Sequence, residues 1–429
     1  MKKTLSVILA AAMMVSLAAC SGGSSSTSTT AAATTAAAAS EAAAETEAAA
    51  EAEPESEAAE AAGAGVAKED LKVGFIFVGD ENEGYTAAHY EGAKAMQEAL
   101  GLSDDQILIK WTIPEDESCY DAAVDLADSG CQIVFANSFG HEDYMIQAAE
   151  EFPDVQFAHA TGYQAASCGL DNMHNFFTSV YESRYVSGVV AGLKLNEMIA
   201  DGTVTDPKIG YVGAYPYAEV ISGYTSFFLG VRSVCPEAYM EVTYTNSWAS
   251  FDLEKEAAEA LIADNCVLIS QHADTTGAPT ACEAAGVPVV GYNISMIATA
   301  PTQALTSASI NWGPYYTYAV QCVVDGEPIV VDWCQGYAEG ADKITELNEG
   351  VVAEGTAEKV AEVEAAIKDG SLKVFDTSTW TVNGIQAEDD AEMMEKYAAY
   401  ISDGYFHESE LASAPAFDIK IDGITDKTN

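Results

Sequence analysis

The chain has 429 residues, 49% of them hydrophobic, with 18 Lys+Arg against 67 Asp+Glu and a formal net charge of -49. The length is enough for two domains with sizeable cores. The acidic balance repels phosphate backbones and anionic lipid, so nucleic-acid binding and electrostatic adsorption on a membrane are excluded.

Residues 1–20 read as a secretory leader. Lys2 and Lys3 precede an apolar run over residues 5–17 that is too short to span a bilayer. The leader ends in Leu17, Ala18, Ala19 and Cys20, followed by Ser21, Gly22 and Gly23. This resembles a bacterial lipobox, in which the cysteine becomes the acylated first residue. Residues 21–66 contain eight Glu, no Lys or Arg and no apolar bulk beyond Ala and Val66, so they read as a disordered tether. The eight further cysteines form no CxxC or zinc-type spacing, which argues against a metal site. Cys131 and Cys266 each open an apolar run, where small buried thiols are expected, and the cysteines are read as mostly free.

From residue 72 the chain alternates. An apolar run over 72–79 ending in Gly79 reads as a strand buried on both faces, and 85–100 reads as a helix. Strand 106–113 precedes helix 121–128, strand 131–137 precedes helix 143–152, and strand 156–161 leads to a long helix over 178–197. The segment 201–207, with Gly202 and Pro207, breaks the pattern, which then restarts. Strand 208–213 precedes helix 218–234, strand 241–246 precedes helix 253–264, strand 266–270 precedes helix 278–285, and strand 287–292 follows. Beyond Gly326 come crossing strands, a helix over 357–369 and an irregular tail from Phe375. Such alternation indicates βαβ units and an α/β class with doubly wound parallel sheets. The expected division is a first lobe over 67–200, a second over 206–300, and crossover segments, closing helices and a tail over 301–429.

Open α/β sheets bind ligands outside the carboxyl ends of their strands. The residues there include Asp80, Tyr85 and Thr86, then Asn137, Ser138 and Phe139, then Thr161. In the second half they are residues 214–217, Trp248, Gln271, His272, Asp274, Tyr292 and Asn293, with Trp312 on the return crossing. Aromatics suit stacking on a planar ring, amides suit its polar edge, and carboxylates accept from sugar hydroxyls. Asp80 to Glu83 reads as a solvated loop, and His272 as a hinge or supporting residue as readily as a contact. No GxGxxG or P-loop, no GxSxG elbow and no nucleophile–base set stands out, so the chain reads as a binding protein without cofactor, metal or catalysis.

Several stretches in order carry a resemblance to the basic membrane protein (BMP) family of substrate-binding lipoproteins. They are VGFIFVG over 73–79, HATG over 159–162, YESRYVSGVVAG over 181–192, TNSW over 245–248, QHAD over 271–274 and NWGPYY over 311–316. The resemblance runs from about residue 72 to 375. It implies a type I periplasmic-binding fold of two lobes joined by three crossings. It also implies a purine nucleoside held between the lobes and delivered to the permease and ATPase subunits of an ABC importer. Carried over, it places Tyr85 on the base, Thr86 at its edge, Trp248 on the opposite face and Asp274 as a polar contact. Relatives often carry Trp or Phe and then Asn where this chain has Tyr85 and Thr86, and Asp where it has Asn293. Asp80, Ser138, Phe139, Gln271, Asn293 and Trp312 complete the expected set of ten ligand residues. A lipid on Cys20 would hold the protein to the outer face of the cell membrane. The competing readings are a sugar- or autoinducer-type binding protein or surface sensor of the same fold, and a secreted nucleoside hydrolase.

Overall fold

The structure is a computed structural model and describes residues 65–427. The leader, Cys20 and nearly all of the expected tether lie outside them. No helix among the described residues is long and apolar enough to cross a membrane.

The first sheet is built from β1 (Val73–Ile76), β2 (Ile107–Lys110), β3 (Ile133–Ala136), β4 (Gln156–Ala160) and β5 (Met173–Thr178). Between them run α1 (Gly84–Leu100), α2 (Glu117–Asp128), α3 (Glu142–Glu151) and the single turn α4 (Ala165–Cys168). The second sheet starts after α5 (Tyr181–Ala200). Its strands β6 (Lys208–Gly213), β7 (Tyr239–Tyr244), β8 (Leu268–His272), β9 (Val289–Tyr292) and β10 (Ala304–Ile310) are linked in part by α6 (Ala218–Val234), α7 (Phe251–Ala263) and α8 (Gly277–Ala285). The chain then returns through α9 (Gly313–Asp325) to β11 (Asp332–Gln335) and crosses again to β12 (Asp342–Ile344) and α10 (Thr356–Lys368).

Strand order is β11-β5-β4-β3-β1-β2 in the first sheet, with every pair parallel. The second sheet runs β12-β10-β9-β8-β6-β7-β17, where β17 is Ile424–Asp426 and only β12 is antiparallel. The chain therefore passes between the sheets three times, at residues 179–180, 311–312 and 336–341. Valines and phenylalanines in β1 and β3 are fully buried because helices cover both faces of each parallel sheet.

Three features differ from the sequence reading. Helix α5, expected in the first lobe, packs in the second. Val186, Val189 and Val190 share a core with Ile209, Phe227 and Phe228. Gly188 and Gly230 let the α5 and α6 backbones approach, since a Cβ on Gly188 would overlap the Phe227 carbonyl oxygen. Strands β5 and β10 and helix α9 were not anticipated. The stretch after Phe375 is not a loose tail. It holds two small hairpins, β13 (Thr381–Val382) with β14 (Ile385–Gln386) and β15 (Ile401–Ser402) with β16 (Tyr405–Phe406), plus α11 (Ala391–Lys396). Phe375, Trp380, Phe406 and Phe417 from this stretch are buried in the second lobe's core. All eight cysteines of the described residues are free thiols.

Candidate functional site

The carboxyl ends of the two sheets face one another across a cavity of about 310 Å³. A cavity of this size, walled by rings and a few polar groups, has the dimensions of a small-molecule site. The lobes touch at its edges. The Gly84 amide donates to the Asp274 carbonyl at 3.0 Å, and the rings of Phe139 and Tyr217 lie 6.2 Å apart.

The first-lobe wall starts after β1 with Val78 and Gly79. Glu83 caps α1 by accepting from the amides of Tyr85 (2.6 Å) and Thr86 (2.8 Å), which fixes where the Tyr85 ring emerges. The Tyr85 hydroxyl donates to the Asn137 carbonyl at 2.7 Å. Its ring meets His89 edge-on at 4.4 Å, and His89 stacks on Trp312 at 3.8 Å. Burial lowers the His89 pKa, so this stack is neutral at physiological pH. Ser138 and Phe139 follow β3 onto the wall, and Ser138 Oγ donates to Glu115 Oε1 at 2.7 Å.

The second-lobe wall carries Tyr215, Glu219, Trp248, His272, Asp274 and Tyr292. Trp248 and Tyr215 pack at 5.3 Å, and the Trp248 carbonyl accepts from the Asp274 amide at 2.9 Å, which ties the loops after β6, β7 and β8 together. His272 Nε2 lies 3.2 Å from Glu219 Oε1. Arg184 sits behind this wall, 1% exposed, with its guanidinium 3.6 Å over the Tyr292 ring and Nη1 donating to the Gln271 carbonyl at 2.7 Å. Burial raises Glu219 to about 7 against the opposing pull of Arg184. Burial, with repulsion from Glu83 and Glu254, raises Asp274 well above the usual carboxylate range. Among the described residues no group of His, Cys, Asp and Glu is arranged to hold a metal.

Of the ten residues expected at the ligand, Tyr85, Ser138, Phe139, Trp248 and Asp274 line the cavity. Four stand behind the wall. Thr86 Oγ1 accepts from the Gly79 amide at 3.2 Å, Gln271 Nε2 donates to the carbonyls of Ala273 and Thr275, and Asn293 Nδ2 donates to Asp274 Oδ1 at 2.7 Å. Trp312, 1% exposed, is the plate on which His89 and Tyr85 rest. Asp80 is exposed and accepts from Asn82 in its own turn, off the wall altogether. The wall also holds Glu83, Glu115 and Glu219, none of which was singled out as a contact. Glu83 falls in the stretch from Asp80 that reads as a solvated loop along the sequence. Glu115 and Glu219 sit in a loop and at a helix start, where an acid ordinarily faces water, and their nearness to strand ends was the one available signal.

The family model for Bmp, described as "ABC transporter substrate-binding protein PnrA-like", matches residues 71–374. A purine-binding protein of Brucella abortus (strain 2308) is 34% identical over 350 residues, which is 80% of this chain and 95% of that protein. A putative ABC transporter glucose-binding protein of Haloferax volcanii is 27% identical over 334 residues, 78% of this chain and 80% of its own length. Among solved structures, a solute-binding protein of an ABC transporter system from Aeropyrum pernix K1 superposes with a TM-score of 0.59 at 16% identity. It covers 76% of this chain and 98% of its own. A solute-binding protein from Conexibacter woesei DSM 14684 gives 0.57 at 21% identity, covering 71% and 98%. These structures share the two-lobed α/β architecture described above. With most of the described chain inside the family match, the protein belongs to the Bmp family of PnrA-like ABC transporter substrate-binding proteins.

Proposed function

We propose that this protein captures a purine nucleoside or nucleobase in the interlobe cavity, without turnover, and delivers it to the permease and ATPase subunits of an ABC importer. A lipid on Cys20 holds it outside the cell membrane while it does so. The observation that carries the ligand reading is the meeting of Tyr85 and Trp248, from different lobes, on the wall of one cavity. Between two such rings a planar base stacks, and the carboxylates of Asp274 and Glu219 accept from amino or ribose hydroxyl groups. The purine-binding relative from Brucella supports this reading. Closure around the base follows from three crossings that act as a hinge.

The test is mass spectrometry of the small molecule that co-purifies with the folded domain, followed by calorimetry with adenosine, guanosine, adenine and glucose. Binding of the purines, with the recovered molecules intact, is the expected result. Glucose binding without any purine binding would favour the reading suggested by the Haloferax relative. Release of free base faster than in buffer would make the protein a hydrolase.

A further inference from the structure

The cavity wall has an unusual charge balance. Four of its side chains are carboxylates, Glu83, Glu115, Glu219 and Asp274, and none is a lysine or arginine. His272, the remaining ionisable nitrogen there, has its pKa lowered well below the usual histidine value by burial and by Arg184. Arg184, a cation behind the wall, lies over the Tyr292 ring, donates to a carbonyl and offsets part of the charge of Glu219.

Protein donors leave part of this acceptor set unused. Glu83 spends both oxygens on the start of α1. Glu115 takes Ser138 and Gly140 on Oε1, Glu219 takes His272 on Oε1, and Asp274 takes Asn293 on Oδ1. The second oxygen of each of these three has no donor among the described residues. Asp274 is only 8% exposed, and the Tyr292 hydroxyl, on the same wall, is buried without a partner.

Carboxyls gathered in a small cavity relieve their repulsion by holding protons, as the raised Glu219 and Asp274 do, and a positive charge that joins them favours the ionised form. The faces of Tyr85, Tyr215 and Trp248 offer that charge a second attraction through their π-systems. An aromatic and carboxylate wall of this kind discriminates ligands by charge as well as by shape.

We propose that the cleft selects purines that carry a positive charge on the ring system, the N-alkylated purinium class, over their neutral parents. This inference rests on the purine reading above and narrows it. Asp274 and Glu219 make the charge contact, and Tyr85 and Trp248 take the two ring faces.

Two pairs of ligands test the charge: the first are isomers and separate charge from bulk, and the second adds the charge together with one methyl group. 1-Methyladenosine is a cation at neutral pH, whereas its isomer N6-methyladenosine is neutral. 7-Methylguanosine carries a ring charge that guanosine lacks. Titration calorimetry at pH 7 with the ligand-stripped full chain should show the cationic member of at least one pair binding tenfold or more tightly. In the Asp274→Asn/Glu219→Gln double variant, checked by thermal melting to be folded, the ratio within that pair should fall toward one. A preference for the cationic member of less than tenfold in both pairs overturns the charge inference and leaves the purine reading standing. A ratio unchanged by the double variant also overturns it. If none of the four ligands nor adenosine binds, the purine reading falls as well.

Discussion

Glu408 offers a test of the electrostatics that is independent of the ligand. It is 2% exposed, lies in the segment that follows β16, and accepts from Ser222 Oγ at 2.5 Å and from Ser409 Oγ. Burial raises its pKa from the ordinary 4.5 to about 7, outweighing the two hydroxyl donors. A carboxyl with a raised folded-state pKa binds its proton more tightly in the folded chain than in the unfolded one. Its contribution is therefore fully present below about 4.5 and is lost as pH rises through about 7. At pH 6 the folded group holds roughly 0.9 of a proton more than the unfolded group, which corresponds to a slope of about 1 kcal/mol per pH unit. Glu408→Gln keeps the shape of the neutral acid and cannot ionise. Unfolding free energies from urea titrations between pH 5.5 and 7.5 should fall with rising pH more steeply in the parent than in the variant, by that slope. Parallel lines for the two proteins would refute the reasoning and mean that Glu408 stays ionised in its buried setting.

Two further outcomes are expected. Gly188→Ala forces a methyl group onto the Phe227 carbonyl oxygen at the α5–α6 crossing, so thermal melting should show a loss of about 1–3 kcal/mol; an unchanged melting temperature would contradict the close approach of these helices. Trp248→Ala removes one ring face from the cavity and should weaken purine binding in calorimetry by roughly ten- to a hundredfold, on the scale of base–aromatic stacking, while the protein still melts cooperatively.

Much of the fold was legible because parallel βα units repeat a simple signal. The bounds of β6 and α6 agree with the sequence reading, helped by the break at residues 201–207 and by the β-branched and aromatic runs that follow. Strand β5 was missed because His174 and Asn175 interrupt its apolar pattern. Both are buried, where Gln156 and Glu142 satisfy them, and such partners cannot be seen along the chain. Helix α9 begins Gly313, Pro314, which reads as a turn although proline is well placed in a first helical turn. Strand β17 carries no local signal at all, since its partner β7 lies far back in the sequence.

The site was legible to the extent that open sheets place ligands at strand ends. That rule found Tyr85, Ser138, Phe139, Trp248 and Asp274. It could not separate residues on the wall from those one layer behind, because Thr86 and Trp312 differ from them only in which way the backbone turns. It also passed over Glu219. An acid in the first turn of a helix is ordinarily a solvated partner of the helix dipole, and here its surroundings on the cavity wall leave it only partly exposed.

The edge strands β11 and β17 have a bearing on how the molecule assembles. Residues 332–335 complete a sheet whose other strands end at Thr178, and residues 424–426 flank a strand that ended at Tyr244. Each half is thus finished by material made long after its main body, and neither is a contiguous stretch that could be cut out whole. Contacts this distant along the chain are reached slowly, since the intervening loops must close first. Each sheet spends the interval with an unsatisfied border, the geometry that invites pairing with another molecule. Shortening the chain by its last strand would therefore cost more in yield of native protein than in the few hydrogen bonds removed.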